Sequence, residues 1–294
     1  MKKETLAAYQ ALIEAKLALV LPLSETHDKR ILEAMNYSLL AGGKRLRPIL
    51  MMAACEAVGG QAKDVLEAAS AIECIHSYSL IHDDLPAMDD DDLRRGKPTN
   101  HVVFGEGMAI LAGDGLLTEA FSLLSTAYLK KGEAEKGLRL VEELALASGV
   151  LGMVGGQAKD LLSEGKAISE EEMHYIHQKK TGALIRASVR MGAIIGNASD
   201  EVVEQLSLYG EKIGLAFQIT DDILDIVGDT KDLGKATGSD EKNHKVTYPS
   251  LYGLEQSQVL AKEACEEARG YLKDLKGNTS VLEYMVEYIL ARKK

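Results

Sequence analysis

Apolar residues recur at three- and four-residue spacing along nearly the whole of this 294-residue chain. The pattern is clear near both ends, at Leu6, Tyr9, Ile13 and Leu17 and at Leu282, Met285 and Ile289. This spacing is typical of one face of an α-helix. Strand-like alternation is missing, and β-branched residues are diluted by Ala, Leu, Met, Glu and Lys, which favour helix. The sequence therefore predicts an all-α protein with no sheet of consequence.

The periodic segments predict a set of long helices. They cover approximately residues 3–20, 28–40, 48–58, 62–85, 99–129, 134–149, 169–195, 200–228, 255–275 and 280–292. Several of them are apolar on more than one face, as expected of a helix surrounded by other helices. No linker rich in Pro, Gly and Ser divides the chain. We therefore expect residues 1–294 to form a single domain, a bundle of about ten long helices around a central cavity.

Composition excludes several classes of protein. Hydrophobic residues make up 46% and charged residues 27%, which is typical of a globular chain. The net charge of -11 argues against nucleic acid as a partner, because binding a phosphate backbone needs a basic face. Three cysteines (Cys55, Cys74 and Cys265) have no metal-ligand spacing and indicate reduced thiols. No signal peptide or membrane-spanning run of eighteen uncharged apolar residues is evident, so we expect a cytoplasmic protein.

Six aspartates fall within residues 83–92, directly after an apolar helical stretch. Pro86 marks the end of that helix, which places Asp83 and Asp84 on its last turn and lets Asp89 fold back from the loop to face them. Clustered carboxylates repel one another unless a cation is present. Mg²⁺ takes such hard oxygen ligands, usually one or two protein carboxylates together with substrate phosphates.

A solvated acidic loop is the alternative interpretation of this run. It would not need the apolar stretch at residues 72–81 that precedes the aspartates, nor Arg94 and Arg95 that follow them. Cations next to carboxylates suit a metal–diphosphate complex, in which arginines bind the outer phosphate oxygens.

A second acidic cluster lies in an apolar helix and contains Asp221, Asp222 and Asp225. Asp221 and Asp225 are one turn apart and share a face, with about 6 Å between them. Two acidic faces on two helices can converge across a bundle, which is how bundles hold metal ions. A di-iron site would add two Glu-x-x-His pairs. Glu73 with His76 is one such pair, whereas His174 lies on a highly charged stretch that reads as solvated, so redox iron is the weaker alternative.

Cations are grouped elsewhere in the sequence. The turn at residues 42–48, Gly-Gly-Lys-Arg-Leu-Arg-Pro, leads into a helix and offers Lys44 and Arg47 to an anion. Lys180 and Thr181 stand where Thr-Gly interrupts a helix, and Lys235 follows the second acidic cluster. The neighbouring Lys179 reads as a solvent-facing lysine.

Together these segments resemble the trans-isoprenyl diphosphate synthase family, specifically its bacterial farnesyl diphosphate synthase type, over about residues 28–292. The motifs that carry the resemblance are Gly-Gly-Lys-Arg-Leu-Arg-Pro at 42–48, Asp-Asp-x4-Asp at 83–89, Gly-Gly-Gln-x2-Asp at 155–160, Lys-Thr-Gly at 180–182 and Phe-Gln-x2-Asp-Asp-x2-Asp at 217–225. Each motif alone is weak, whereas the joint match is highly specific.

The resemblance implies an enzyme that condenses isopentenyl diphosphate head-to-tail (1'-4) with an allylic diphosphate. It implies Mg²⁺ held by Asp83, Asp89 and Asp221, with Asp84, Asp222 and Asp225 supporting, as two ions at the first motif and one at the second. The residues implied to hold the allylic diphosphate are Arg94, Lys180, Thr181, Gln218 and Lys235. Those implied to hold isopentenyl diphosphate are Lys44, Arg47, His76 and Arg95. Family resemblance also implies a homodimer.

Product length in the family is limited by bulk just before the first acidic motif. Tyr78 and Ser79 occupy the fifth and fourth positions upstream of Asp83, about one helical turn deeper. The Tyr78 ring predicts a fifteen-carbon product, with twenty carbons as the alternative. A class I terpene cyclase is disfavoured by three Phe and no Trp, and a non-catalytic subunit is disfavoured because both acidic clusters are present.

Overall fold

The computed structural model describes residues 2–23, 29–166, 168–227 and 246–292. Its helices, numbered in chain order, are α1 (Lys2–Leu17), α2 (Lys29–Leu39), α3 (Leu46–Ala57), α4 (Leu66–Asp83), α5 (Asn100–Phe104), α6 (Glu106–Lys131), α7 (Ala134–Ser148), α8 (Met153–Ser163), α9 (Glu170–His177), α10 (Ala183–Ile195), α11 (Asp200–Val227), α12 (Tyr248–Tyr252), α13 (Leu254–Gly270) and α14 (Ser280–Leu290). A 3-10 turn at Ala62–Val65 precedes α4, and a π-helical turn at Gln178–Gly182 precedes α10.

The strands of the described residues form one short antiparallel hairpin, β1 (Leu93–Arg94) with β2 (Lys97–Pro98). It lies in the loop after the first acidic cluster and contributes no layer to the fold. The all-α class predicted from the periodicity is therefore confirmed.

The centre of the bundle is built from helices that are buried on several faces. α10 lies between α3 and α11, α4 packs along α6, and α11 packs along α13. Small residues allow close approach: a Cβ on Gly192 of α10 would collide with the backbone carbonyl of Met51 in α3. One cluster of buried apolar side chains extends from Tyr9 in α1 to Ile289 in α14. The assignment of residues 1–294 to a single domain stays a prediction.

Two of the predicted long helices are interrupted in the structure. The helix predicted over residues 99–129 is divided by Gly105, whose φ of 87° ends α5 before α6 begins. The helix predicted over residues 169–195 contains the π-helical turn at Gln178–Gly182. Apolar periodicity continues through both breaks. The Thr-Gly pair at residues 181–182 marks the second break in the sequence, but the sequence does not reveal its π-helical form.

Two helices were missed, and one predicted helix is too long. α8 begins in a glycine-rich stretch and α12 is a single short turn after the second acidic cluster, so both have weak helical signals. The helix predicted over residues 255–275 ends at Gly270, as α13. The helix predicted over residues 62–85 begins as a 3-10 turn and ends at Asp83.

α6 is the one described helix that is long and apolar enough, by length and composition, to cross a membrane. The search for an uncharged run missed it because Asp114 and Glu119 interrupt the apolar residues. A third of its most apolar window is buried, and Ala112 and Leu116 of this helix belong to the core. All three cysteines are buried and free.

Candidate active site

The first acidic motif is assembled at the end of α4. The helix ends at Asp83, and the chain then folds back so that the backbone N–H of Asp89 donates to the carbonyl oxygen of Asp83 at 2.9 Å. Both side chains are half-buried. This bond holds the two outer residues of the motif next to each other at the end of α4.

Asp83 is costly to ionise in this position. Its pKa is raised to about 6: burial is the largest cause, the nearby Lys180 opposes the rise, and the neighbouring carboxylate of Asp89 adds to it. Like charges and burial both disfavour the charged carboxylate, whereas a nearby cation favours it. Asp83 and Asp89 therefore form a site that a divalent cation would stabilise.

Asp84, the inner carboxylate of the motif, is held by the hairpin that follows. It is only 3% exposed, and the Arg94 Nε donates to its two oxygens at 2.7 and 2.9 Å. Burial raises the pKa of Asp84, and the hydrogen bond from Arg94 opposes that rise. The ion pair fixes β1 against the end of α4 and holds the Arg94 guanidinium beside the motif.

The second acidic motif lies near the end of α11, and its first carboxylate has a partner from the far end of the chain. The Arg292 Nη2 lies 2.6 Å from the Asp221 Oδ1. The same guanidinium stacks over the Phe217 ring at 4.3 Å. Because Phe217 and Asp221 are one turn apart on α11, a single arginine covers both.

Asp222 is enclosed by protein donors. It is 2% exposed, the Gln218 Nε2 donates to its Oδ1 at 2.8 Å, and the Tyr248 backbone N–H donates to its Oδ2 at 3.0 Å. Asp225 lies one turn beyond Asp221 and is half-buried. The three carboxylates of this motif therefore have different surroundings.

A cavity of about 120 Å³ lies between α8, the π-helical turn and α11, and its lining includes Asp160, Lys180, Thr181, Gln218 and Asp222. The Lys180 Nζ donates to the Asp160 Oδ2 at 2.7 Å. Lys180 also lies close enough to Asp83 to lower its pKa. One ammonium group thus stands between the α4 motif and the α11 motif, as a shared diphosphate site requires.

The π-helical turn brings Lys180 and Thr181 to this cavity. α8 approaches it so closely that a Cβ on Gly156 would collide with the Lys180 backbone nitrogen. π-turns within helices are frequent at functional sites, because the extra residue changes the direction of the side chains. Gly156 belongs to the Gly-Gly-Gln-x2-Asp motif, so this close contact gives that glycine a physical role.

The basic turn before α3 is anchored by a buried arginine. Arg45 has a left-handed φ of 49°, and its guanidinium donates to Glu14 at 2.7 Å, to Glu73 at 2.8 Å and to the Leu39 carbonyl oxygen at 2.9 Å. Its side chain is 2% exposed, and that of Glu73 is 3% exposed. These bonds join α1, α2 and α4 and leave the adjacent Lys44 exposed to solvent.

The remaining cations gather around His76. A small cavity near the hairpin is lined by Arg45, His76, Arg94 and Arg95 among others. Burial lowers the pKa of His76 well below its usual value, and the positive charges of Arg47 and Arg95 lower it further, so the imidazole is neutral at pH 7. A neutral imidazole among guanidinium groups can donate to an anion without adding charge.

Arg47 links the basic turn to the second acidic motif. Burial lowers its pKa, and the carboxylates of Glu73 and Asp221 raise it. Its Nε is buried and has no hydrogen-bond partner among the described residues. Such a group is costly to leave unsatisfied, which indicates an anionic ligand next to it.

The two residues predicted to set product length lie on α4. Tyr78 is 5% exposed, and its ring centroid is 5.7 Å from that of His82, one turn nearer the acidic motif. The Ser79 hydroxyl donates to the His76 carbonyl oxygen at 2.9 Å. Lys235, the last of the predicted phosphate ligands, lies outside the described residues.

Among the described residues, no three metal-ligating side chains already converge on one point. Mg²⁺ usually takes one or two protein carboxylates and completes its octahedron with water and phosphate oxygens. Paired carboxylates at Asp83 and Asp89, and a carboxylate at Asp221, are the donor set for that chemistry. The residues therefore fit magnesium bound together with a diphosphate.

Four residues near the site had no individual role in the sequence analysis: Arg45, Asp160, Tyr248 and Arg292. Asp160 belongs to the Gly-Gly-Gln-x2-Asp motif, and Tyr248 lies in the sequence Lys-Val-Thr-Tyr-Pro at residues 245–249, so the sequence offered a signal for both. Arg45 stands in the basic turn, where it was one of three cations predicted to form an anion site and had no buried partner assigned to it. Arg292 lies in a short basic run that reads as solvent-exposed.

The chain is similar to several known proteins along most of its length. Residues 28–289 match the family model for polyprenyl synthetase. The chain is 52% identical to the farnesyl diphosphate synthase of Escherichia coli (strain K12), over 90% of each chain. It is 47% identical to the farnesyl diphosphate synthase of Geobacillus stearothermophilus, over 98% of each. The apo crystal structure of an FPP/GFPP synthase from Zymomonas mobilis superimposes with a TM-score of 0.86 at 39% identity, covering 99% of each chain.

Proposed function

The chain belongs to the polyprenyl synthetase family, and we propose that it condenses isopentenyl diphosphate with dimethylallyl or geranyl diphosphate to give farnesyl diphosphate. The observation that carries the proposal is the position of Lys180, which borders one cavity with Gln218 and Asp222 of α11 and also acts on Asp83 of α4. Two acidic motifs and a cation around one space suit a diphosphate bound with metal ions.

The donor set assigned to Mg²⁺ is Asp83 and Asp89 for two ions and Asp221 for a third, with Asp225 supporting. Bound Mg²⁺ would neutralise the charge that collects on the departing diphosphate. Catalysis gains most from interactions that strengthen as that charge develops. Lys180 lies near Asp83 of this set, and Arg292 lies next to Asp221.

The allylic diphosphate is assigned to the cation side of the same cavity. Lys180 and Thr181 of the π-helical turn and Gln218 of α11 offer donors there, with Arg94 on the hairpin and Lys235 beyond the described residues. Departure of the diphosphate leaves an allylic cation. Lys180 and Arg94 hold their positive charges next to the leaving group, which lowers the free energy of the separated charges.

Isopentenyl diphosphate is assigned to Lys44, Arg47, His76 and Arg95, of which Arg47 and Arg95 lie close enough to His76 to lower its pKa. The buried and unsatisfied Nε of Arg47 supports this assignment. Attack of the isopentenyl alkene on the allylic cation forms the new carbon–carbon bond, and loss of a proton then restores a double bond. The departed diphosphate, held nearby, is the base that takes this proton.

The experiment that tests the function is an incubation of the purified chain with isopentenyl diphosphate and either allylic primer, with and without Mg²⁺. Farnesyl diphosphate should form only when Mg²⁺ is present, and chelation with EDTA should stop the reaction. Absence of any condensation product in the presence of Mg²⁺ would contradict the proposal. Geranylgeranyl diphosphate as the main product would replace the fifteen-carbon assignment by the twenty-carbon alternative.

Product length provides a sharper prediction. Tyr78→Ala removes a ring that is 5% exposed on α4, and we expect the main product to lengthen by at least one five-carbon unit. The matched control is Tyr78→Phe, which keeps the ring and should keep the fifteen-carbon product. Chromatography of the dephosphorylated products measures both. Identical product lengths in the Ala and Phe variants would reject Tyr78 as the limiting side chain.

A homodimer is proposed from the surface of the bundle. Exposed apolar residues occur on α6, on α7 and in the turn between α7 and α8, namely Ile110, Leu111, Leu146, Val150 and Leu151. Apolar exposure of this extent is typical of an interface. The proposal gives α6 a role beyond the core of its own chain.

Charge on this surface should weaken the dimer. We expect Ile110→Glu combined with Leu111→Glu to raise the dimer dissociation constant at least about 30-fold, the effect of losing an interface hot spot. Light scattering coupled to size-exclusion chromatography measures the change. Leu19→Glu is the control, because Leu19 is 74% exposed after the end of α1, away from this surface. An unsubstituted chain that is monomeric at micromolar concentration would contradict the proposal.

A further inference from the structure

The two inner aspartates, Asp84 and Asp222, share an environment that the outer ones lack. Asp84 is 3% exposed and Asp222 is 2% exposed, whereas Asp83, Asp89 and Asp221 are half-buried. The oxygens of each inner carboxylate already accept hydrogen bonds from protein donors. Mg²⁺ needs near-octahedral space and retains several waters, which a carboxylate enclosed in this way does not offer.

The donors to Asp222 come from two separate parts of the chain. Gln218 lies one turn earlier on α11, and its side-chain amide donates at 2.8 Å. The second donor is the backbone N–H of Tyr248, 26 residues later, at 3.0 Å. Asp222 therefore fastens the start of α12 to the helix that carries the second acidic motif.

Tyr248 extends this contact to the other side of the cavity. Its ring stacks on that of His177, with centroids 5.5 Å apart and planes at 28°, and it lies 5.4 Å from that of His174. His177 is the last residue of α9 and directly precedes the π-helical turn that holds Lys180. The ring is 1% exposed, so the contact is fully packed.

We propose that Asp222 and Tyr248 are positioning residues that fasten α11 to the π-helical turn, so that Lys180 and Thr181 keep a fixed place relative to Asp221. Asp222 acts through the Tyr248 N–H, and Tyr248 acts through its ring on His177. This assignment differs from the sequence prediction, in which Asp222 supports the metal. It deepens the proposed function, and its catalytic part depends on that function.

The proposal predicts a divided kinetic effect. Asp222→Ala removes both hydrogen bonds, and we expect the KM for the allylic diphosphate to rise about tenfold, the effect of losing one hydrogen bond to a charged group. The KM for isopentenyl diphosphate should change less than twofold, because its site lies at the basic turn. A general loss of structure would raise the KM values for both substrates and would not single out the allylic diphosphate.

The conservative variant separates positioning from metal binding. In Asp222→Asn the side-chain oxygen can accept from Tyr248, while the NH₂ group can donate to the Gln218 carbonyl once that amide rotates. Asn thus keeps both bonds and loses the charge. We expect the KM for the allylic diphosphate in Asp222→Asn to lie close to that of the unsubstituted chain, without most of the rise seen in the Ala variant. We also expect Asp222→Asn to need no more Mg²⁺ for half-maximal rate than the unsubstituted chain. Asp221→Asn, the comparison for a true ligand, should need far more.

A second pair of variants tests the ring. Tyr248→Ala removes the stack on His177 and should raise the allylic KM as Asp222→Ala does. Tyr248→Phe should leave it unchanged, since the Tyr248 hydroxyl has no hydrogen-bond partner among the described residues. The two Tyr248 variants also test the proposal if Asp222→Ala does not fold, because both keep the buried carboxylate of Asp222.

Hydrogen exchange on the metal-free protein provides a readout that needs no turnover. We expect the peptide covering residues 246–252 to exchange about tenfold faster in Asp222→Ala and to stay protected in Asp222→Asn. Unchanged exchange in the Ala variant would overturn the proposal, and so would an Mg²⁺ requirement in Asp222→Asn equal to that of Asp221→Asn. If the unsubstituted chain forms no prenyl product, the proposed function fails, and the exchange result still decides whether the two residues fasten this contact.

Discussion

Asp83→Asn should lower the turnover number about 100- to 1,000-fold, the range found when one group that stabilises developing charge is removed. Asn keeps the size of the side chain and loses the negative charge that would hold a cation beside Asp89. Steady-state rates at saturating substrate and Mg²⁺ measure the loss. Asp92→Asn is the control, since Asp92 belongs to the same acidic run and is exposed outside the motif, and it should stay within about twofold.

The same substitution should stabilise the metal-free protein at pH 7. The pKa of Asp83 is raised from 3.8 to about 6, so the folded chain carries the cost of ionising this carboxylate above pH 6. That cost falls as pH drops through 6 and is absent below 3.8, where folded and unfolded chains are both protonated. The midpoint temperature of thermal unfolding should therefore be higher for Asp83→Asn than for the unsubstituted chain at pH 7, and the two midpoints should be equal at pH 3.5. A lower midpoint for Asp83→Asn at pH 7 would contradict this account.

Local parts of the site could be predicted from the sequence because their geometry depends on neighbouring residues. Pro86 predicts the end of α4 near Asp83, and in the structure the helix ends at Asp83. The spacing of Asp221 and Asp225 fixes their shared face on α11 in the same way. Helical periodicity and helix-ending residues are short-range properties, so one sequence is enough to read them.

The partners of these residues could not be predicted, because they come from distant segments. Asp222 accepts a hydrogen bond from the Tyr248 backbone N–H, and Asp221 pairs with Arg292. Arg45 donates to Glu14 and Glu73. Periodicity says which face of a helix is buried and does not say which other segment covers it. The inner and outer residues of each motif are likewise all aspartates in the sequence, and only their burial and contacts in the folded chain distinguish them.

Arg45→Met should lower the free energy of unfolding by about 3–5 kcal/mol, the cost of breaking a buried ion pair by removing one partner. Glu73 is 2% exposed and would lose the guanidinium that lies 2.8 Å from it. Urea denaturation of the metal-free protein measures the change. Arg269→Met is the control, because Arg269 pairs with Glu266 at the surface and such pairs contribute about 1 kcal/mol or less.

The double variant Arg45→Met with Glu73→Leu identifies the cause. Replacing both charges by apolar groups of similar size removes the isolated carboxylate, so much of the lost stability should return. A double variant no more stable than Arg45→Met would show that the loss comes from packing or from the left-handed turn at Arg45 instead. Because Arg45 holds the turn that carries Lys44 and Arg47, the single variant should also raise the KM for isopentenyl diphosphate more than that for the allylic substrate. The Arg45–Glu73 ion pair, which contacts no substrate, would thus set the geometry of the isopentenyl diphosphate site. The difference between the rises in the two KM values would measure the size of that effect.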